Sequence, residues 1–110
     1  MNQKMSIFQM ESLLNEALSK VTDLVASIKD EGFCNCDYVR VEANRQTTVL
    51  AKALFNRSIP AYIHRDSRVH INVYSPFMSQ GIVRTKSCAI LCEYLNKIPG
   101  VRAILVNVDD

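Results

Sequence analysis

Glycine is scarce in this chain of 110 residues, which contains only three. Phosphate-binding loops of the known types need several closely spaced glycines, because the backbone must approach the phosphate directly. No such loop occurs in the sequence, and neither does a nucleophile elbow or a clustered pair of carboxylates. We therefore predict a protein that binds another molecule without catalysing a reaction and without a cofactor.

Long apolar runs are also missing. Spanning a bilayer takes roughly 18 consecutive apolar residues, and the longest run here is far shorter. The first predicted helix carries Glu11, Glu16 and Asp23, so the N-terminal segment lacks the uninterrupted apolar core of a signal peptide. We expect a cytoplasmic protein that makes no membrane contact. Its length is typical of one domain, covering residues 1–110.

The four cysteines do not have the spacing of a structural zinc site. They occur as Cys34-x-Cys36 and Cys88-x-x-x-Cys92, whereas typical zinc knuckles place two residues between paired thiols. Cys88 and Cys92 are one helical turn apart on an apolar face, where free cysteine behaves as a small hydrophobic residue. We predict reduced thiols that fill the core, and no metal site.

The net charge of +2 conceals an uneven distribution along the chain. Residues 1–37 have a net charge of −3, residues 38–102 carry ten basic and three acidic side chains, and the last two residues are both aspartate. Seven of those ten basic residues are arginines, which suit the planar recognition of phosphate or carboxylate. The asymmetry is compatible with a polyanionic partner or with an ordinary solvated surface.

Residues 6–31 have the clearest periodicity. Apolar residues recur every three or four positions, which predicts an amphipathic helix with Ser6 as its N-cap and Gly32 just beyond its C-terminus. A helix of this length measures about 39 Å, so it either packs along its own domain or pairs with a second copy, and we favour a homodimer. The residues predicted to form the dimer interface are Ile7, Met10, Leu14, Val21, Leu24 and Ile28.

The remainder of the chain, residues 37–108, alternates between short strand and helix patterns. The predicted elements are strands at 37–43, 61–64, 68–74 and 101–108, a helix capped by Asn44 that runs to about Arg57, and a helix from Ser79 or Gly81 to about Ile98. This order predicts an α+β fold in which a long N-terminal helix precedes a ferredoxin-like βαββαβ unit. Such a unit has a four-stranded antiparallel sheet with its helices on one face.

The hairpin formed by the second and third strands determines which side chains face away from the core. Ala61 and Ile63 share a face with Val69 and its apolar neighbours only if the connecting loop has an odd number of residues, such as 65–67. We then expect Ile63 opposite or near Val69, and the polar side chains on the other face. With the first strand and the adjoining loops, the residues predicted to bind a partner are Tyr38, Arg40, Tyr62, His64, Arg65, Arg68, His70, Asn72, Tyr74, Phe77 and Met78.

These side chains suit two kinds of partner. An exposed sheet face beside an apolar loop at 76–78 suits a protein, so our leading hypothesis is a small adaptor or inhibitor that docks on another macromolecule. Tyrosine also stacks on unpaired bases, arginine neutralises phosphate and asparagine reads base edges. The predicted topology is similar to that of the RNA-recognition-motif family, although residues 68–74 lack that family's glycine and paired aromatics. The alternative hypothesis is a regulator that binds single-stranded RNA or DNA.

Two further hypotheses depend on smaller features. His64 and His70 could act as an acid–base pair, which makes a phosphodiesterase-type nuclease the enzymatic alternative. Residues 71–76, with the sequence INVYSP, are similar to a segment of small phage tail-completion proteins. That resemblance implies a component of virion assembly.

Overall fold

The structure, a computed structural model, describes residues 5–27, 36–65, 68–76 and 82–107. They form an α+β fold with a long N-terminal helix and a four-stranded antiparallel sheet, as predicted. The elements are α1 (Ile7–Ser27), β1 (Cys36–Glu42), a 3-10 turn (Asn44–Gln46), α2 (Thr47–Asn56), β2 (Ala61–Arg65), β3 (Val69–Val73), α3 (Ile82–Leu95) and β4 (Arg102–Asn107). Within these ranges, no helix is both long enough and apolar enough to cross a bilayer.

The start of α1 is fixed by a capping box between Ser6 and Gln9. The Gln9 backbone N–H donates to Ser6 Oγ (3.2 Å), and the Ser6 backbone N–H donates to Gln9 Oε1 (2.9 Å). Each bond satisfies an N–H group that the first helical turn leaves without a partner. The predicted N-cap at Ser6 is confirmed. The predicted end of the helix at 31, together with Gly32, lies outside the described residues.

The apolar stripe of α1 packs against the rest of the same chain. Met10, Leu14 and Ala17 are fully buried in one core that also contains residues of α2, α3 and the sheet, and Val21 is equally buried. At the edge of this contact, Tyr94 of α3 is nearly buried beneath the ammonium groups of two lysines. The stripe is wide because it covers two helices, α2 and α3, at once.

The residues predicted for a dimer interface must be corrected accordingly. Three of them are inside the monomer and expose no surface to a second copy: Met10, Leu14 and Val21. Of the others, Ile7 and Leu24 are half-buried and Ile28 lies outside the described residues. The periodicity of a helix does not reveal which partner covers its apolar stripe, and here the domain's own helices do so. Dimerisation itself stays a prediction.

The sheet has the strand order β2-β3-β1-β4, with every neighbouring pair antiparallel. The central strands are therefore β1 and β3, as expected. Their apolar residues alternate onto one face, where Val39, Val41, Ile71 and Val73 are fully buried against the helices. Since successive side chains of a strand point to opposite faces, the residues between these four project away from the helices.

The start of α2 differs from the prediction. Asn44 does not cap the helix; it adopts a left-handed backbone conformation (φ 51°) in the 3-10 turn, and α2 begins at Thr47. Its side-chain amide donates instead to the carbonyl oxygen of Gly100 (3.4 Å). Asparagine tolerates positive φ better than most residues, so an asparagine before a helical pattern fits either role, and the sequence alone favoured the wrong one.

The end of α2 is a Schellman motif centred on Ser58. The N–H of Ile59 donates to the carbonyl of Leu54 (3.0 Å), and the N–H of Ser58 donates to the carbonyl of Phe55 (3.0 Å). Ser58 adopts the left-handed conformation (φ 59°) that this motif requires. Pro60 follows and leads the chain directly into β2, the edge strand of the sheet.

Candidate functional site

The β2–β3 hairpin has the odd-numbered connection that the hydrophobic pattern requires. β2 extends to Arg65 and β3 begins at Val69, so three residues, 66–68, connect them. Ile63 pairs with Ile71, two positions beyond the expected Val69. Because the shift is an even number of residues, the apolar side chains still share the core-facing side.

Arg65 belongs to β2 and not to the hairpin loop that was predicted to contain it. It pairs with Val69 and alternates with His64, so its side chain lies on the same side of the sheet as Ile63. The prediction treated Arg65 as the first loop residue, whereas β2 continues through it. Arg65 is exposed, but it does not belong to the candidate site.

The sheet surface turned away from the helices, here called the polar face, receives side chains from all four strands. The strand pairings arrange them in rows of directly opposed residues. The residues of the polar face are Tyr38, Arg40, Glu42, Tyr62, His64, His70, Asn72, Tyr74, Arg102, Ile104 and Val106. The predicted loop residues Phe77 and Met78 lie outside the described residues.

The contribution of β4 to the polar face is missing from the sequence-based prediction. Arg102 stands opposite Glu42, and Ile104 stands opposite Arg40. Both side chains are exposed, whereas Ala103 between them is buried. The sequence does contain a signal for this arrangement, because the small residue Ala103 between Arg102 and Ile104 marks the core-facing position of an alternating strand. The run of branched residues in this segment makes that alternation hard to recognise.

Three tyrosines, here called the tyrosine row, cross one end of the polar face. The ring centroids of Tyr38 and Tyr74 are 5.6 Å apart at 43°, and those of Tyr62 and Tyr74 are 5.8 Å apart in an edge-to-face arrangement at 71°. These are favourable geometries for aromatic pairs. Tyr62 is 62% exposed, while the other two rings are half-buried. The row therefore presents an aromatic surface whose geometry is set by ring–ring contact.

Three arginines surround a small cavity at the other end of the polar face. This arginine cleft, of about 160 Å³, is lined by Arg40 of β1, Arg68 of the hairpin loop, Arg102 of β4, Glu42 and Ile104. A guanidinium nitrogen of Arg40 lies 4.0 Å from a carboxylate oxygen of Glu42, with both side chains about one-third exposed. An ion pair of this kind contributes little stability. The cleft is thus lined by three guanidiniums and one carboxylate.

His70 lies in the floor of the polar face rather than on its surface. It is only 5% exposed, and its ring stacks on that of His64 with centroids 5.3 Å apart and planes within 10°. His70 Nδ1 is 3.1 Å from the carbonyl oxygen of Arg68. A carbonyl oxygen only accepts hydrogen bonds, so we assign the proton of the neutral imidazole to Nδ1. The sequence pattern predicts the correct face for His70 but not that a neighbouring ring covers it.

Asn72 also belongs to the floor. It is 8% exposed and stands between Tyr62 of β2 and Arg40 of β1, directly opposite each. Its side-chain oxygen Oδ1 is buried and accepts no hydrogen bond from any residue in the described part of the chain. Buried polar atoms are nearly always hydrogen-bonded, so this amide is an exception that requires an explanation.

The rings of the histidine pair stack in parallel, and His70 is almost covered. Its role as an acid–base pair stays a prediction. Over the described ranges, no three histidine, cysteine or acidic side chains come together in a way that could hold a metal ion. Cys88 is fully buried and Cys92 is half-buried, both as free thiols.

The chain matches no family model, and no curated protein and no solved structure is significantly similar to it. The resemblance of residues 71–76 to phage tail-completion proteins stays a prediction.

Proposed function

We propose that this chain is a small non-catalytic protein that docks on another macromolecule through its polar face, and that the macromolecule is a single-stranded nucleic acid. The observation that carries the proposal is the placement of the tyrosine row and the arginine cleft at opposite ends of the same central strands. Tyr38 and Glu42, which mark the two ends on β1, are four residues apart, or about 13 Å. That length suits the two or three nucleotides that a sheet of this size stacks.

We also infer that residues 36–107 form a ferredoxin-like unit to which α1 is added. The order of strands and helices along the chain, the antiparallel strand order β2-β3-β1-β4 and the burial of α2 and α3 against one sheet face support this inference. A unit of this kind leaves the outer face of its two central strands available to a ligand.

The two ends of the polar face have complementary roles in this proposal. Arginine neutralises phosphate and holds it through a planar pair of donors, so the arginine cleft binds the backbone of the strand. A tyrosine ring stacks on a base of any identity, and Tyr62 is the most exposed ring of the row. A strand lying along the face then places its bases on the tyrosines and a phosphate in the cleft.

A protein partner is the competing class, and the composition of the polar face argues against it. The buried centre of a protein–protein interface is typically apolar and depleted of charge. The centre of the polar face instead contains Arg40, His70 and Asn72, with the apolar Ile104 at its margin. A protein that covers this centre must supply polar groups to Arg40 and Asn72, whereas a nucleotide offers phosphate oxygens and base edges that match them.

The test is fluorescence anisotropy of a labelled single-stranded 12-mer titrated with the protein at several salt concentrations. We expect binding that weakens steeply as salt rises, and an Arg68→Ala variant that binds more weakly with a salt slope smaller by about 0.7, the value for one lost phosphate contact on a single strand. Arg65→Ala is the matched control, because it removes the same charge from the same hairpin on the opposite face. We expect this variant to bind like the parent protein.

Two results contradict the proposal. Absence of binding to RNA and DNA 12-mers at low salt excludes a nucleic acid and leaves the adaptor or inhibitor hypothesis. Equal losses in Arg68→Ala and Arg65→Ala indicate that only the overall charge of the protein attracts the strand.

A further inference from the structure

The side-chain amide of Asn72 contains a buried oxygen atom without a hydrogen-bond partner in the described part of the chain. Its Oδ1 atom is buried without a donor in the described part of the chain, and its neighbours along β3 are the core residues Ile71 and Val73. Asparagine is also a poor residue for a strand, because β-branched and aromatic residues fit the pleated surface better. A buried amide without a partner loses its hydrogen bonds to water and gains none in return. Both effects make Asn72 unfavourable for stability at this position.

The surroundings of Asn72 point to a ligand as the missing partner. It stands between the exposed ring of Tyr62, which can stack a base, and Arg40, which lines the arginine cleft. A base held on Tyr62 while the neighbouring phosphate occupies the cleft stands beside this residue, and its edge meets the amide once the side chains that cover Asn72 move apart. Single-stranded nucleic acids are read in this way, by stacking together with hydrogen bonds to exposed base edges.

We propose that Asn72 is a specificity-determining residue that reads adenine in a bound single strand. The amide pairs with adenine through two hydrogen bonds: Oδ1 accepts from the exocyclic amino group, and Nδ2 donates to a ring nitrogen. This inference rests on the proposed function and adds to it the class of strand, one that contains adenine. It also gives a role to a residue that is unfavourable for stability in the middle of a central strand.

The experiment compares the protein with Asn72→Leu and with a second variant, Asn72→Val, which keeps a good strand-forming residue at the site. Affinities are measured by anisotropy for labelled dA12 and dT12, together with the salt slope, and the midpoint of thermal unfolding is measured for each free protein. Asn15→Leu, the same substitution at an exposed position on α1, is the control for binding.

We expect the parent protein and Asn15→Leu to prefer dA12 over dT12 by at least about fivefold, the lower range for one good base contact. Both Asn72 variants should reduce this preference to below about twofold without changing the salt slope. Their unfolding midpoints should rise by about 4 °C, because an unpaired amide is replaced by an apolar side chain.

Each other outcome has a distinct meaning. Equal binding of dA12 and dT12 by the parent protein overturns the role of Asn72 while the proposed function stands. An equal loss of affinity for both strands, with a lower unfolding midpoint, shows that Asn72 is structural and also overturns the inference. If no strand binds at low salt, the proposed function fails and the inference fails with it.

Discussion

Tyr62 and Asn72 stand directly opposite each other on β2 and β3, yet Tyr62 is 62% exposed and Asn72 only 8%. The difference arises because β2 is the edge strand, whereas β3 is flanked on both sides and Asn72 has Arg40 opposite it on β1. The pair therefore combines an open aromatic surface with a covered polar group next to it.

Removing the Tyr62 ring should weaken binding without unfolding the protein. We expect Tyr62→Ala to lower the affinity for a single-stranded 12-mer by about 5- to 150-fold, which corresponds to the loss of about 1–3 kcal/mol for one base–aromatic stack. Tyr62→Phe keeps the ring and should bind within about twofold of the parent. Phe8→Ala, which removes an exposed ring from α1, is the control. Equal effects of Tyr62→Ala and Phe8→Ala contradict the role of the tyrosine row.

The alternation of residues predicts most of the side chains that lie on the polar face, but not how deeply each of them is buried. The apolar residues 61, 63, 69, 71 and 73 require an odd hairpin loop, and this condition assigns Tyr62, His64, His70 and Asn72 to the other face. The positions of the neighbouring strands are not encoded in that pattern. Whether a side chain of the polar face is exposed or covered depends on the residues opposite it on the neighbouring strands. The sequence of one strand does not identify those residues.

Long-range contacts limit the prediction elsewhere for the same reason. Asn44 has the residue type and position of a helix cap, but its partner is Gly100, which is 56 residues further along the chain. The apolar stripe of α1 is recognisable from its period, whereas the helices that cover it are not. The sequence predicts a feature correctly where the interacting residues are close together along the chain, as in the capping box of Ser6 and Gln9.

Arg57 should stabilise the fold through its polar contacts, which connect the end of α2 to α1. Its Nε lies 3.4 Å from a carboxylate oxygen of Glu11, and its Nη1 donates to Asn15 Oδ1 (3.3 Å). Because Arg57 is about one-third exposed, solvent screening reduces the value of the ion pair. We expect Arg57→Ala to lower the free energy of unfolding by about 1 kcal/mol in urea denaturation.

Lys52→Ala is the control for this substitution, since Lys52 is an exposed cation on the same helix. Its effect should stay within about 0.5 kcal/mol. If the two variants unfold at the same urea concentration, the contacts of Arg57 with α1 do not contribute to stability.

Replacing Ser58 with glycine should increase the stability of the protein. Its backbone is left-handed (φ 59°) in the Schellman motif that ends α2, and this conformation is strained for a residue with a Cβ atom. Glycine removes the strain but increases the entropy of the unfolded chain, so we expect Ser58→Gly to stabilise the protein by about 0.5–1 kcal/mol. The same substitution at the exposed helical residue Ser19 should destabilise by about 0.5–1 kcal/mol. Destabilisation in both variants contradicts the assigned conformation of Ser58.

Cys92 should react slowly with alkylating reagents in the native protein. Burial raises the pKa of the Cys92 thiol, an effect that the Asn96 amide partly offsets, and the thiol donates to the carbonyl oxygen of Ala103 (3.3 Å). A raised pKa leaves less of the reactive thiolate at a given pH. We expect iodoacetamide at pH 8 to modify Cys92 more slowly than N-acetylcysteine, with the difference narrowing as the pH rises.

Peptide mapping by mass spectrometry distinguishes Cys92 from the other three cysteines. Cys88, which is fully buried, should be protected until the protein unfolds, and denaturant should make both react at the rate of a free thiol. Native Cys92 reacting as fast as N-acetylcysteine contradicts its hydrogen-bonded, partly buried position.

The most direct test of the polar face as a docking surface is a nuclear magnetic resonance titration that follows nitrogen-bound side-chain protons while a dA12 strand is added. We predict that the Nε–H signals of Arg40, Arg68 and Arg102 and the amide signals of Asn72 change position. The Nε–H signals of Arg65 and Arg57, on the helix side of the sheet, should stay in place. Shifts confined to Arg65 and Arg57, with the polar-face signals unmoved, contradict the account.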